Sequence, residues 1–165
     1  MNVFMPCESI LESTKSLDDK RLIKQIIECK IMLDDAISYS IGEKESGYFK
    51  HPVCQYYKDY PIFLARYGLS CCAEYKYRFK KNHRLSSYFY NLILTLTDEG
   101  KSPKSPKAIY VSGRKDTSEC IRETYPAKVY YLFKKKLKNK WMDDIDKGRQ
   151  AKWTNRGAPD WLLEV

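Results

Sequence analysis

From Ser16 to Gly42 apolar residues recur at helical spacing. Leu22, Ile23, Ile26, Ile27, Met32, Leu33, Ala36 and Ile37 fall on the separations of one helix face, with charges between them. The pattern predicts a long amphipathic helix, capped by Ser16 or Asp18 and stopped by Gly42. Residues 42–52 are polar, hold Gly42, Gly47 and Pro52, and read as a loop. Helical spacing resumes at Val53 and runs to about Phe79 through Tyr56, Tyr57, Ile62, Phe63, Ala65, Tyr67, Leu69, Cys72, Ala73 and Tyr77. Pro61 lies inside that span. Its missing N–H kinks the helix there or restarts it as the first residue of a second piece. Lys80-Lys81-Asn82-His83-Arg84 is a basic turn. Ser86 to Thr97, with Phe89, Tyr90, Leu92, Ile93 and Leu94, predicts a further helix ending before Gly100.

Two prolines in Lys101-Ser102-Pro103-Lys104-Ser105-Pro106-Lys107 mark a loop, and Ala108–Val111 reads as extended loop rather than strand. Thr117 or Ser118 opens a short helix. Pro126 begins another that runs to about Met142. Val129, Tyr130, Phe133, Leu137 and Trp141 form its apolar stripe, and lysines cover the opposite side. The tail holds Trp153, Arg156, Pro159 and Trp161, too aromatic for a disordered end. The tail tryptophans read first as core anchors. The expected fold is all-α, one helical domain over 1–165, with a helical core in 1–100 and a basic, aromatic-rich extension, 101–165, packed on it.

Composition agrees with a folded chain: of 165 residues, 43% are hydrophobic and 31% charged. No run of about 18 apolar residues exists to span a membrane. The opening Met1-Asn2-Val3-Phe4-Met5-Pro6 lacks the basic and apolar regions of a secretory signal, so a cytoplasmic protein is expected. Six cysteines, at 7, 29, 54, 71, 72 and 120, form no C-x-x-C pair and read as reduced, mostly buried thiols. His51 and Cys54 have an H-x-x-C spacing, but with His83 the only other histidine, core packing is preferred over zinc and no metal is expected.

Charge changes the picture more. The net charge is +9; residues 1–100 hold 14 basic and 13 acidic side chains, residues 101–165 hold 16 and 8. A basic half threaded with aromatics points to a polyanion, most often nucleic acid; the competing reading is a solvated basic face. Lys134-Lys135-Lys136, Lys138 and Lys140 make a dense cationic face, and about six to ten phosphate contacts would give steep salt dependence.

Familiar catalytic motifs are missing: no G-x-S-x-G, Walker loop, G-x-G-x-x-G or H-E-x-x-H occurs. Acids, lysines and the terminal amine remain. Glu28 stands out, flanked by Ile26, Ile27, Cys29 and Ile31, since a buried carboxylate is costly unless paired or functional. Arg21, Lys24 and Gln25 precede it by one or two turns on a shared face. The competing reading is a surface salt bridge with Lys24.

The run Leu17-Asp18-Asp19-Lys20-Arg21-Leu22-Ile23-Lys24-Gln25-Ile26-Ile27-Glu28 resembles the helix of the pyrimidine-dimer DNA glycosylase family of endonuclease V type, which ends in a catalytic glutamate. The opening Met1–Pro6, His51-Pro52 with the aromatic helix after it, and Tyr67-Gly68-Leu69 are similar too. Lys152-Trp153-Thr154-Asn155-Arg156 through Pro159-Asp160-Trp161 resembles a tail of phage-encoded members. The resemblance is strongest over residues 1–70. It implies an all-α enzyme that needs no metal or cofactor and acts on DNA beside a phage or bacterial genome. An N-terminal amine attacks the sugar C1′, a Schiff base forms, the base leaves, and β-elimination nicks the strand. Glu28 takes the glutamate role, Arg21 falls at a DNA-contacting position, and His51 matches a histidine near the site. Two positions depart from the pattern. Asn2 is large enough to keep the initiator methionine, which makes the Met1 amine the nucleophile. Ile27 stands where characterised members carry an arginine. With the double-stranded DNA implied, Lys24, Lys134, Lys138, Trp153 and Arg156 become candidate contacts. The alternatives are a non-catalytic nucleic-acid-binding protein on the same scaffold and a virus-encoded interaction or inhibitor module.

Overall fold

A computed structural model describes residues 2–43, 46–100, 106 and 126–163. Met1, Cys120, the 108–111 stretch and the helix expected from Thr117 or Ser118 lie outside the described residues. These are all-helical: α1 (Ile10–Ser16), α2 (Asp19–Ser40), α3 (Pro52–Tyr57), α4 (Pro61–Phe79), α5 (Ser86–Asp98), α6 (Pro126–Asp146) and a 3-10 turn over Asp160–Leu163. Among them no helix is long and apolar enough to cross a membrane.

The long helix starts where its cap does. Asp18 accepts from the Lys20 and Arg21 amides at 3.1 and 3.2 Å, satisfying first-turn donors that have no partner inside the helix. Gly42, at φ +73°, takes the left-handed step just past the other end. Pro61 restarts the chain as the first residue of α4, with α3 ending at Tyr57. The basic turn closes α4 with Lys80 in the left-handed region. The structure adds α1, which apolar spacing does not reveal. Its buried residues are Ser13, Thr14 and Ser16, hydroxyls that bond the carbonyls of Cys7, Leu11 and Glu12. It also carries α6 four residues beyond Met142.

The core lies where α2 packs on α4, with α1 and α5 on other sides of α4. Phe4, Leu22, Ile26, Leu33, Leu64, Tyr67 and Phe89 fill it. From α6, Val129, Phe133, Leu137 and Trp141 join the same cluster, and Tyr130 is half-buried. The expected stripe thus faces inward.

The tail closes over α1, α2 and α4. Trp141 stacks on Trp161 at 5.6 Å and meets Trp153 edge-on at 5.1 Å. Both tail indoles donate to Ser16, Trp153 to its carbonyl at 3.2 Å and Trp161 to its hydroxyl at 3.3 Å. They are anchors, as their need for a buried partner suggests. The thiols of Cys29, Cys54, Cys71 and Cys72 are buried, and Cys7 is partly so. Burial pushes the Cys54 and Cys72 thiols up to about 11, far from reactive thiolates.

Candidate active site

The chain's first described residues run across α2, held by the buried side chains of Val3, Phe4 and Met5. Gln25 of α2 organises this crossing. Its Oε1 accepts from the Phe4 amide at 3.1 Å, which turns its Nε2 the other way. That nitrogen donates to the Asn2 carbonyl at 2.8 Å and to Glu28 Oε2 at 2.7 Å. The Tyr67 hydroxyl lies 2.7 Å from the Phe4 carbonyl and 3.2 Å from Gln25 Oε1. Burial pushes its pKa far up, so it stays protonated and donates. One amide therefore holds the start of the chain and a carboxylate side by side. Glu28 is 8% exposed, and Lys24 approaches its other oxygen at 3.7 Å. Glu28 is therefore buried rather than a surface residue, and Lys24 faces it.

A second polar group joins α2 to α6. Arg21 Nη1 donates to Asp18 at 3.0 Å, and its Nη2 donates to Asp144 at 2.6 Å and to the Lys140 carbonyl at 3.0 Å. The Trp141 indole donates to the same Asp18 oxygen as Arg21. Asp144 is held down, from an ordinary 3.8 to about 2, chiefly by its hydrogen bond from Arg21 and then by that from Lys20.

Between α2, the end of α6 and the opening segment lies a cleft of about 270 Å³. Lys20, Arg21, Lys24, Lys140, Lys147 and Arg149 line it, against Glu28, Asp143 and Asp144, with Asn2, Phe4 and Gln25 completing the wall. Six cations and three carboxylates make it net positive. The Lys140 ammonium is pushed down by burial first, then by Arg21 and Lys24.

Of the residues singled out in the sequence, Glu28, Arg21 and Lys24 meet in this cleft. Met1 lies outside the described residues, one peptide from Asn2. His51 is not among the lining residues: its Nδ1 accepts from the Val53 amide at 3.2 Å and caps α3, and burial lowers its pKa. Lys134 lies 5.5 Å over the Trp161 ring. Lys138 and Trp153 border a different, apolar cavity of about 640 Å³ with Met142, Ile145 and Leu162. Arg156 grips Glu74 with Nε and Nη2 and lies 4.5 Å over Tyr77.

The α6 wall escaped the sequence reading. Asp144 and Lys147 follow an apolar stripe in an unremarkable charged run, and only the fold brings Asp144 against Arg21, 123 positions away, and Lys147 into the same cleft. Gln25 carried a fainter signal, an amide on the Glu28 face.

A family model described as pyrimidine dimer DNA glycosylase matches residues 1–87. No curated protein and no solved structure matches the chain. The matched stretch contains α1 to α4 and the Gln25–Glu28 pair; Lys140, Asp144, Lys147 and Arg149 lie beyond it.

Proposed function

The chain belongs to the pyrimidine dimer DNA glycosylase family, and from that membership we propose that it acts on double-stranded DNA as a base-excision glycosylase and AP lyase, with the N-terminal amine as nucleophile and Glu28 as the assisting carboxylate. One observation carries the assignment: Gln25 Nε2 is shared between the Asn2 carbonyl and the Glu28 carboxylate. The amine is joined to Asn2 by a single residue, and consecutive Cα atoms are about 3.8 Å apart. On this reading the proposed nucleophile belongs to the residue that precedes Asn2, whose carbonyl Gln25 binds together with Glu28.

The chemistry follows from that pairing. An α-amine titrates at about 7.7–8.0, so a useful fraction is neutral near pH 7. Its lone pair attacks C1′, and the glycosidic bond breaks with its electron pair leaving on the base, which takes up a proton. The amine nitrogen loses a proton as the sugar ring opens to an imine. Glu28, a carboxylate in a largely water-excluded site, stabilises the positive charge that develops at C1′ and relays the protons. Loss of a C2′ proton then expels the 3′ phosphate, and water hydrolyses the imine to restore the amine. The cations of the cleft hold the flanking phosphates.

The test is an untagged protein incubated with duplex DNA carrying an abasic site and then treated with borohydride, which reduces an imine to a stable link. A covalent complex is expected. Glu28→Gln should retain DNA affinity and lose about 10²- to 10⁴-fold in turnover, the usual worth of a positioned acid–base group. Unchanged turnover removes Glu28 from the site. Salt-sensitive binding with no adduct favours a non-catalytic nucleic-acid-binding protein on this scaffold.

A further inference from the structure

We infer that Lys140 is a second amine of the Glu28 cleft, able to form the imine with C1′ of an abasic nucleotide when the terminal amine is out of place. The inference rests on the proposed amine chemistry and adds to it a residue beyond the family-matched stretch, which ends at residue 87.

The cleft's amines differ in what occupies them. Lys20 bonds Asp144 at 3.1 Å, and Lys24 faces Glu28 at 3.7 Å. Lys147 stands in solvent. Lys140 lines the same cleft, is half-buried, and among the described residues has no carboxylate within ion-pairing distance. Its backbone is fixed, because its carbonyl accepts from Arg21 Nη2 at 3.0 Å while Asp144, one turn on, takes the same guanidinium. A half-buried amine held at one place and left unpaired has the features of a nucleophilic lysine. The net effect of its surroundings is to ease loss of its proton. Burial, Arg21 and Lys24 lower its proton affinity and enlarge the neutral fraction, against the opposing pull of Glu28 and Asp143.

The step balances without a further reagent. The neutral Nζ adds to the C1′ aldehyde of the opened abasic sugar. The nitrogen gives up its protons, the aldehyde oxygen leaves as water with the help of Glu28, and a C=N bond remains. Elimination at C2′ and hydrolysis follow as for the terminal amine.

The experiment separates the two amines by adding an N-terminal extension, which carries the terminal amine away from the cleft. The probe is abasic duplex DNA with borohydride, and adducts are mapped by peptide mass. The extended protein should still be trapped, with the added mass on the peptide containing Lys140. Lys140→Arg, which keeps the charge, and Lys140→Met, which suits a half-buried site, should each reduce trapping of the extended protein at least tenfold while melting like the parent. An adduct on residue 1 of the untagged protein that disappears in the extended one overturns this inference and leaves the proposed function standing. Trapping of the extended protein that survives both substitutions also overturns it. No adduct in either form overturns both readings.

Discussion

Asp18 shows how one side chain can join two helices, α2 and α6. Its Oδ1 caps α2 through the Lys20 and Arg21 amides, and its Oδ2 takes the Arg21 guanidinium and the Trp141 indole. Arg21 is in turn shared with Asp144. Such a buried group holds because each member is satisfied; removal of one leaves a charge without its counter-ion. Asp144 supplies the pH dependence. Its folded pKa is depressed to about 2 from an ordinary 3.8 by Arg21 and Lys20. Its contribution is therefore complete above pH 3.8 and is lost as pH falls toward 2, because below that range both folded and unfolded forms carry the proton. Asp144→Asn should lower the denaturation midpoint at pH 7 and flatten the decline between pH 4 and 2. An acid limb as steep as that of the parent would show that other carboxylates govern this window. At this scale the sequence was readable where chemistry is local. Glu28 stood out by its apolar neighbours and Gln25 by its place on the same face. Asp144 did not, because its role exists only through a contact across 123 positions.

The helices were the most legible layer, since apolar spacing is a record of which side faces the core. Asp18, Gly42, Pro61 and Gly100 mark ends that the structure keeps, and α6 is described from Pro126 onward. What stayed hidden has a common cause. In α1 the inward face is made of hydroxyls, so no hydrophobic period exists to detect. Contacts between helices were hidden too, and Gly68 is the clearest instance. It sits in mid-α4, where alanine would favour the helix by about 1 kcal/mol. A Cβ there would lie 2.5 Å from Cε1 of Phe89, a fully buried ring of α5 that has nowhere to go. Overpacking of about 1–3 kcal/mol outweighs the propensity gain. Gly68→Ala should therefore lower the urea midpoint, and adding Phe89→Leu should recover part of the loss. A raised midpoint in the single variant would mean that α4 and α5 separate easily.

Taken whole, the molecule carries its charge excess beyond the stretch that the family model matches. Residues 1–100 are nearly neutral, and the basic half begins after them. The cleft lies at the meeting of the two: α2 brings Glu28, and α6 with the residues after it brings Lys140, Lys147 and Arg149. The sequence showed a basic half and an acid on a helix, but not that they share one wall. Some of these cations also hold the fold, as Arg21 does, so their loss would confuse binding with stability. Lys147 and Arg149 separate the two. Both are exposed, and Arg149, 62% exposed and 3.8 Å from Asp144, forms a surface pair of the kind that adds little to stability. Each phosphate contact contributes about 0.9 to the slope of log affinity against log salt. Lys147→Gln with Arg149→Gln should flatten that slope by about two and weaken duplex binding equally for all sequences, with an unchanged melting temperature. Affinity measured against salt concentration reads the result. An unchanged slope would mean that the end of α6 does not meet the phosphates, and that DNA enters from the side of Lys20 and Lys24.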